Sequence, residues 1–170
     1  MAVAVSVAVA AALLAAAGCS KTPQYAVPGD VCGVAVDPAV LEPLLLPGEK
    51  LEQSTVLSRP GAPHCFVQVD EESVLGVQGE VIPADQDPSV RREWQMPAAA
   101  RIEVGDDARV SDINVVAVAA CAHQGKADKF VVQVERFHPE RDDARKRREA
   151  LAGFMTVYFP AARKAVGCTS

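Results

Sequence analysis

Hydrophobic and polar positions change rhythm several times along this chain, and each change marks an element. From Met1 to Gly18 there is no charged residue, and only Ser6 is clearly polar. A near-continuous apolar run closed by small residues offers no amphipathic face, so it reads as an export signal and not as part of a fold. Ser20 to Asp30 then has no apolar period. Its Pro23, Pro28 and Gly29 predict an extended, mobile tether in which Tyr25 is incidental.

The folded domain is expected from Val31 onward. Asp37-Pro38 places an N-cap and a first-turn proline before the stripe Val40, Leu41, Leu44 and Leu45. Pro43 limits that helix to a short or kinked one, and Pro47-Gly48 ends it. Ser54 to Ser58 and Cys65 to Val69 read as strands around the turn Pro60-Gly61-Ala62-Pro63. After the acidic turn Asp70-Glu71-Glu72, Leu75, Val77 and Val81 alternate with Gly76, Gln78 and Glu80 in a third strand.

The middle pattern is weaker. Ser89 to Gln95 has the length of two helical turns and carries Trp94. Ile102 and Val104 alternate with Arg101 and Glu103 in a short strand, closed by a turn at Gly105-Asp106-Asp107. Ile113 to Cys121 is apolar on both alternating faces, which predicts a central strand covered on both sides. Gln124 to Asp128 is a hairpin loop before the strand Phe130 to Glu135. Phe66-Val67-Gln68-Val69-Asp70 and Val131-Val132-Gln133-Val134-Glu135 echo one another, as strands of similar chemistry often do.

The last element is the clearest helix. Leu151, Met155, Tyr158, Phe159, Ala162 and Val166 form a stripe at helical spacing. Pro139 fits a first turn, and Pro160 predicts a kink or split. The order is helix, three strands, short helix, three strands, helix. It predicts a single α+β domain: an antiparallel sheet of about six strands packed by a short N-terminal and a longer C-terminal helix.

Ala16-Ala17-Gly18-Cys19 is similar to the lipobox of bacterial lipoproteins, in which the cysteine is acylated and becomes the new N-terminus. Cys19 is therefore the expected lipidation site. Residues 1–18 are the expected signal peptide, 19–30 the tether and 31–170 the domain. No Lys or Arg precedes Cys19, and Ala16 stands where the lipobox commonly has Leu. An uncleaved membrane anchor and a plain secreted protein are the two alternatives. Residues 2–18 lie near the lower limit of about 17–25 residues for a spanning helix.

Composition then narrows the picture. The 152 residues after Gly18 suffice for one domain with a core of ordinary size. A net charge of −5 provides no general attraction to nucleic acid or to anionic headgroups. With Cys19 set aside, Cys32, Cys65, Cys121 and Cys168 remain. An even number in an exported chain implies two disulfides, and none of the spacings is CxxC. Four cysteines allow three pairings; the sequential one, Cys32 with Cys65 and Cys121 with Cys168, is the expected arrangement.

The lipobox cysteine, the Pro-containing tether, Val31-Cys32-Gly33, the Leu-rich helix, the Cys65 strand and Val104-Gly105-Asp106-Asp107-Ala108 together resemble small actinobacterial cell-envelope lipoproteins with domains of unknown function. Some of these are similar to the PsbP-like fold. The resemblance implies an extracytoplasmic protein held on the cell membrane by its lipid. It supplies no catalytic residue, cofactor or metal ligand.

The remaining candidates for chemistry each have a simpler role. Cys121-Ala122-His123 offers two zinc-type ligands without an evident third. His138-Pro139 reads as a helix start. The carboxylates Asp70-Glu71-Glu72, Asp85-Gln86-Asp87 and Asp106-Asp107 sit in turns and lack the spacing of a calcium loop. Arg145-Lys146-Arg147-Arg148 reads as a solvated helix start with the pairs Asp142–Lys146 and Asp143–Arg147. No GxSxG or SxxK occurs. The expected function is a non-catalytic binding or accessory module for a small apolar ligand, a wall component or an envelope protein, without nucleic acid. The alternative is an envelope hydrolase whose site gathers His123 or His138 with carboxylates and a hydroxyl from distant positions.

Overall fold

The computed structural model describes residues 23–59, 62–88, 96, 99–141 and 143–169. Strands β1 (Asp30–Val31) and β2 (Val34–Ala35) form a small ribbon. Strands β3 (Leu51–Arg59), β4 (Ala62–Val69), β5 (Glu72–Pro83), β6 (Ala100–Arg101), β7 (Asp107–Val110), β8 (Asn114–His123) and β9 (Lys126–Arg136) form one sheet. Its order is β3-β4-β5-β9-β8-β7-β6, antiparallel throughout. Helix α1 (Pro38–Leu41) is one turn that tightens into a 3-10 turn at Glu42–Leu44, where Pro43 stands. Helix α2 (Ala144–Ala165) is the long one.

The expected α+β architecture with an antiparallel sheet and two helices is present. The sheet has seven strands rather than six, because Asp107–Val110 is a strand and not the end of a turn. Four residues, two of them charged, are too few to separate from the turn before them by pattern. The strand expected at 101–104 shortens to Ala100–Arg101, although Val104 is buried and Ile102 packs on the core. Ser89 to Gln95, with Trp94, lies outside the described residues.

Tight turns join the strands. Cys32-Gly33, Asp70-Glu71 and Gln124-Gly125 are two-residue loops with positive φ at both positions, 50° to 78° in all. Such loops match the right-handed twist of the strands they connect. The hairpin expected over 124–128 is therefore tighter, and β9 begins pairing at Lys126.

One face of the sheet makes the core. Val67, Leu75, Val77, Val132, Val134, Val115 and Ala117 share it through the strand register, and all are buried. Helix α2 lays Leu151, Phe154, Met155, Tyr158, Phe159 and Ala162 across it. Phe159 stacks on Phe130 at 5.8 Å and Phe154 on Tyr158 at 5.0 Å. Tyr158 donates to the Val31 carbonyl at 3.3 Å, and burial, assisted by Asp30, pushes its hydroxyl pKa up. Strand β8 is buried along Val115, Ala117, Ala119 and Cys121. Its other face is covered at Val116 and open at Ala120, so the two-sided cover expected there is graded along the strand.

Three further expectations change. The stretch from Pro23 to Asp30 is not a free tether. Tyr25 and Val27 pack on the core, the Tyr25 hydroxyl donates to the Leu46 carbonyl, and Gln24 N donates to Gly48 O at 2.8 Å. A segment that buries apolar side chains loses its freedom to swing, whatever its proline content. Second, α2 starts after Pro139, which opens a separate 3-10 turn at Pro139–Arg141. Third, α2 runs through Pro160 unsplit. Pro160 and Thr156 both face solvent, so water can satisfy the carbonyl that loses its donor.

Asp143 caps α2 by accepting from Arg145 N at 3.0 Å and Lys146 N at 3.1 Å. The Lys146 N–H above all holds the Asp143 carboxyl below its ordinary range. Because folding lowers this pKa, the stabilisation is complete above the unfolded value near 3.8 and is lost as pH falls through the folded value. Asp143→Asn keeps a cap acceptor and removes the titration. The stability gap between wild type and Asp143→Asn should therefore narrow as the thermal midpoint is followed from about pH 5 downward. A gap independent of pH would reject the ionised cap.

Candidate functional site

The cysteines are the most clearly assembled of the expected residues. Cys32 bonds to Cys65 and Cys121 to Cys168, with Cα separations of 5.7 and 4.8 Å. The first ties the β1–β2 ribbon to β4. Gln53 supports it, donating to Asp30 O and accepting from Cys32 N, both at 2.9 Å. The second ties the segment after α2 to β8, beside the Ala122–Thr169 bridge. Cys19 lies outside the described residues.

The histidines do not meet. His64 is on β4, on the sheet face away from α2, with its ring centroid 5.5 Å from Phe66. His123 ends β8 opposite Lys126. His138, at φ 59°, follows β9 and is the one with carboxylates around it. Its Nε2 lies 3.1 Å from the Ser73 carbonyl and 3.2 Å from Glu72 Oε1, and its Nδ1 lies 3.6 Å from Glu140 Oε1. Arg141 also holds Glu72, at 3.1 and 3.2 Å. Two acceptor oxygens thus face Nε2.

This cluster ties the start of β5 to the turn before α2. It does not aim a hydroxyl at an imidazole: the Ser73 hydroxyl accepts from Gln68 Nε2 at 3.5 Å, and it is the Ser73 carbonyl that meets His138. The side chains of Glu72, His138 and Glu140 are 29–66 % exposed, so bulk water screens them. General base catalysis needs a ring nitrogen in reach of the proton it removes, and here both nitrogens face acceptors.

The acidic turns hold backbone. Asp70 accepts from Glu49 N at 3.0 Å and Lys50 N at 2.8 Å. Asp106 accepts from Ala120 N at 2.6 Å, and Asp107 pairs with Arg101 and Arg109, each at 3.5 Å. The basic run divides. Arg145 pairs with Glu149 at 2.7 Å and Arg148 with Asp112 at 2.5 Å. Arg147 is buried and donates to the carbonyls of Asp112 and Pro139, rather than pairing with the Asp143 side chain. Arg136, also buried, donates from Nε to the Leu44 carbonyl at 3.3 Å.

Arg147, expected on a solvated helix start, is instead buried, and Arg136 is buried without having been singled out, although the inward phase of both is visible in the sequence. Arg147 stands four residues before Leu151 on the buried stripe, and Arg136 continues the inward series Phe130, Val132, Val134. A charged residue on an apolar face is easily dismissed when its partners are backbone carbonyls, which no spacing announces.

The sheet face away from α2 is partly open at Phe66, Gln78 and Phe137 and buried farther along. Phe66 and Phe137, half-buried and 6.2 Å apart, roof over Gly76, where a Cβ would meet them at 3.2 and 3.4 Å. Farther along the same face, Ile82, Val116 and Val131 form a small apolar cluster with Met96 and Val118. Gln133, which donates to Asn114 at 3.4 Å, lies between the two. No helix among the described residues is long and apolar enough to cross a membrane. In comparisons with known proteins, no family model, curated sequence or solved structure matched this chain.

Proposed function

We propose that this chain is an extracytoplasmic lipoprotein, anchored to the cell membrane by acylated Cys19, that serves as a non-catalytic binding or accessory module. The observation that carries this reading is the pairing of the cysteines. Cys32, Cys65, Cys121 and Cys168 are all consumed in two disulfides, which persist in oxidising compartments. The one remaining cysteine is Cys19, at the end of the apolar run.

Kinship with small actinobacterial envelope lipoproteins, and a PsbP-like architecture, are part of the same proposal and rest on the sequence resemblance; an antiparallel α+β domain is compatible with both. The binding face is the side of the sheet away from α2, around the half-buried Phe66 and Phe137; Ile82, Val116 and Val131 on the same side are buried, with Met96 and Val118 packed on them. Half-buried aromatic surface bordered by a few amides suits a small apolar ligand, a wall component or an envelope protein.

Intact mass and detergent partitioning of the native product test the anchor. The expected product begins at Cys19, carries acyl mass and enters the detergent phase. Cys19→Ser should move it to the aqueous phase with an unchanged unfolding transition, because among the described residues the docking contacts of this segment are those of Gln24, Tyr25 and Val27. A mature form that is soluble, or one that retains residues 1–18, would overturn the proposal.

A further inference from the structure

Resting on acylation of Cys19, we infer which end of the domain lies against the bilayer: the end built from the Leu46–Lys50 loop, the Asp70-Glu71 turn and the start of α2. Its partner there is the headgroup layer, and the length of the leash is what holds it. The chain joins the domain at this end. Gln24 N bonds to Gly48 O, and Tyr25 bonds to Leu46 O. Asp70 then binds the amides of Glu49 and Lys50, which ties that loop to the β4–β5 turn. Glu72, just past the turn, binds Arg141 before α2.

The dimensions decide the orientation. Cys19 and Pro23 are four residues apart, a reach of at most about 14 Å. Strand β9 leads away from this end over 11 residues, roughly 36 Å. Helix α2 spans the same distance over 22 residues, roughly 33 Å. It is fixed near the bilayer by Arg147 on the Asp112 carbonyl and far from it by Arg163 on the Ala120 carbonyl. The Gln124-Gly125 turn and the Cys121–Cys168 bridge are at the far end. Turning that end to the membrane would lift Pro23 more than twice as far from the surface as the leash allows.

Charge is not what holds the near end down. Lys50 pairs with Glu52 at 2.8 Å, Arg141 with Glu72, Arg145 with Glu149 and Arg148 with Asp112. Glu49, Asp70 and Glu71 are exposed beside them. Cations already matched by carboxylates of the same domain have little attraction left for lipid phosphate, and the exposed Lys146 stands in the field of Asp143.

The test uses the full lipidated chain in phosphatidylcholine vesicles that carry a headgroup quencher. A fluorophore is placed on Glu49→Cys or on Lys126→Cys, both exposed positions. Quenching should be several-fold stronger at position 49, and should persist in about 1 M salt, where the Debye length is ~3 Å. Inserting about 20 Gly/Ser residues between Thr22 and Pro23, with an r.m.s. span of ~25 Å, should remove most of that difference. Equal quenching at both positions in vesicle-bound protein overturns the orientation and leaves the anchor standing. A difference that survives the insertion, or one that salt abolishes, overturns the leash as its cause. Failure of the chain to stay with the vesicles removes the anchor itself, and the inference with it.

Discussion

Phe154→Ala should lower the unfolding free energy by about 3–5 kcal/mol, the usual cost of removing a fully buried phenylalanine. Phe154 has no exposed surface and stacks on Tyr158 within the α2 stripe that closes the core. Domains of this size are stable by only about 5–15 kcal/mol, so this one change can consume most of the margin. Urea unfolding reads it as a fall in midpoint at constant slope. Val157, one turn on but outside the buried stripe and 40 % exposed, is the internal control. Val157→Ala should stay within about 0.5 kcal/mol. Equal losses at both positions would mean that α2 does not dock by the face described.

Removing either disulfide should destabilise the domain by about 2–5 kcal/mol. The cysteine separations are 33 and 47 residues, and chain entropy varies only logarithmically with loop length. The two losses should therefore be similar, about 4 kcal/mol each on that account. Their local effects should differ. The Cys32→Ala, Cys65→Ala pair frees the β1–β2 ribbon, whose Val31 is buried under Tyr158. The Cys121→Ala, Cys168→Ala pair frees the chain after α2 and exposes the Ala122–Thr169 amides to exchange first. Chemical denaturation of both double variants measures the losses, and amide exchange locates them. Alkylation of the native protein should find none of these four thiols free. Four reactive thiols would reject both the cross-links and the oxidising compartment argued from them.

Much of the fold was legible in local pattern. The Asp37 cap, the α2 stripe from Leu151 to Ala162 and the alternation of β5 and β9 each depend on a period or a terminus that a few neighbouring residues define. The echo between Phe66–Asp70 and Val131–Glu135 also has a plain cause. The two segments flank β5 with the same pleat phase, so Val67 and Val132 point to the core while Gln68 and Gln133 point away. The sequential disulfide pairing was one of three, and topology selects it: Cys65 and Cys121 sit on the core-facing side of their strands, beside the ribbon and the end of α2 respectively.

The sequence by itself determined the uncharged apolar run before Cys19, the α+β composition of the domain, and where its main helix and hairpins lie. These are properties of neighbouring residues, and near neighbours carry them whatever the rest of the chain does. Tertiary structure alone decided the rest. It pinned Tyr25 to the Leu46 carbonyl, placed Arg136 and Arg147 in the core on backbone acceptors, surrounded His138 with Glu72, Glu140 and the Ser73 carbonyl, and gathered Phe66 and Phe137 over Gly76. Most of these contacts join positions 21 to 92 residues apart, and the sheet order β3-β4-β5-β9-β8-β7-β6 brings β9 back between β5 and β8. A hydrogen bond or ring contact is decided within a few ångströms, and only the folded arrangement of strands sets which distant residues come that close.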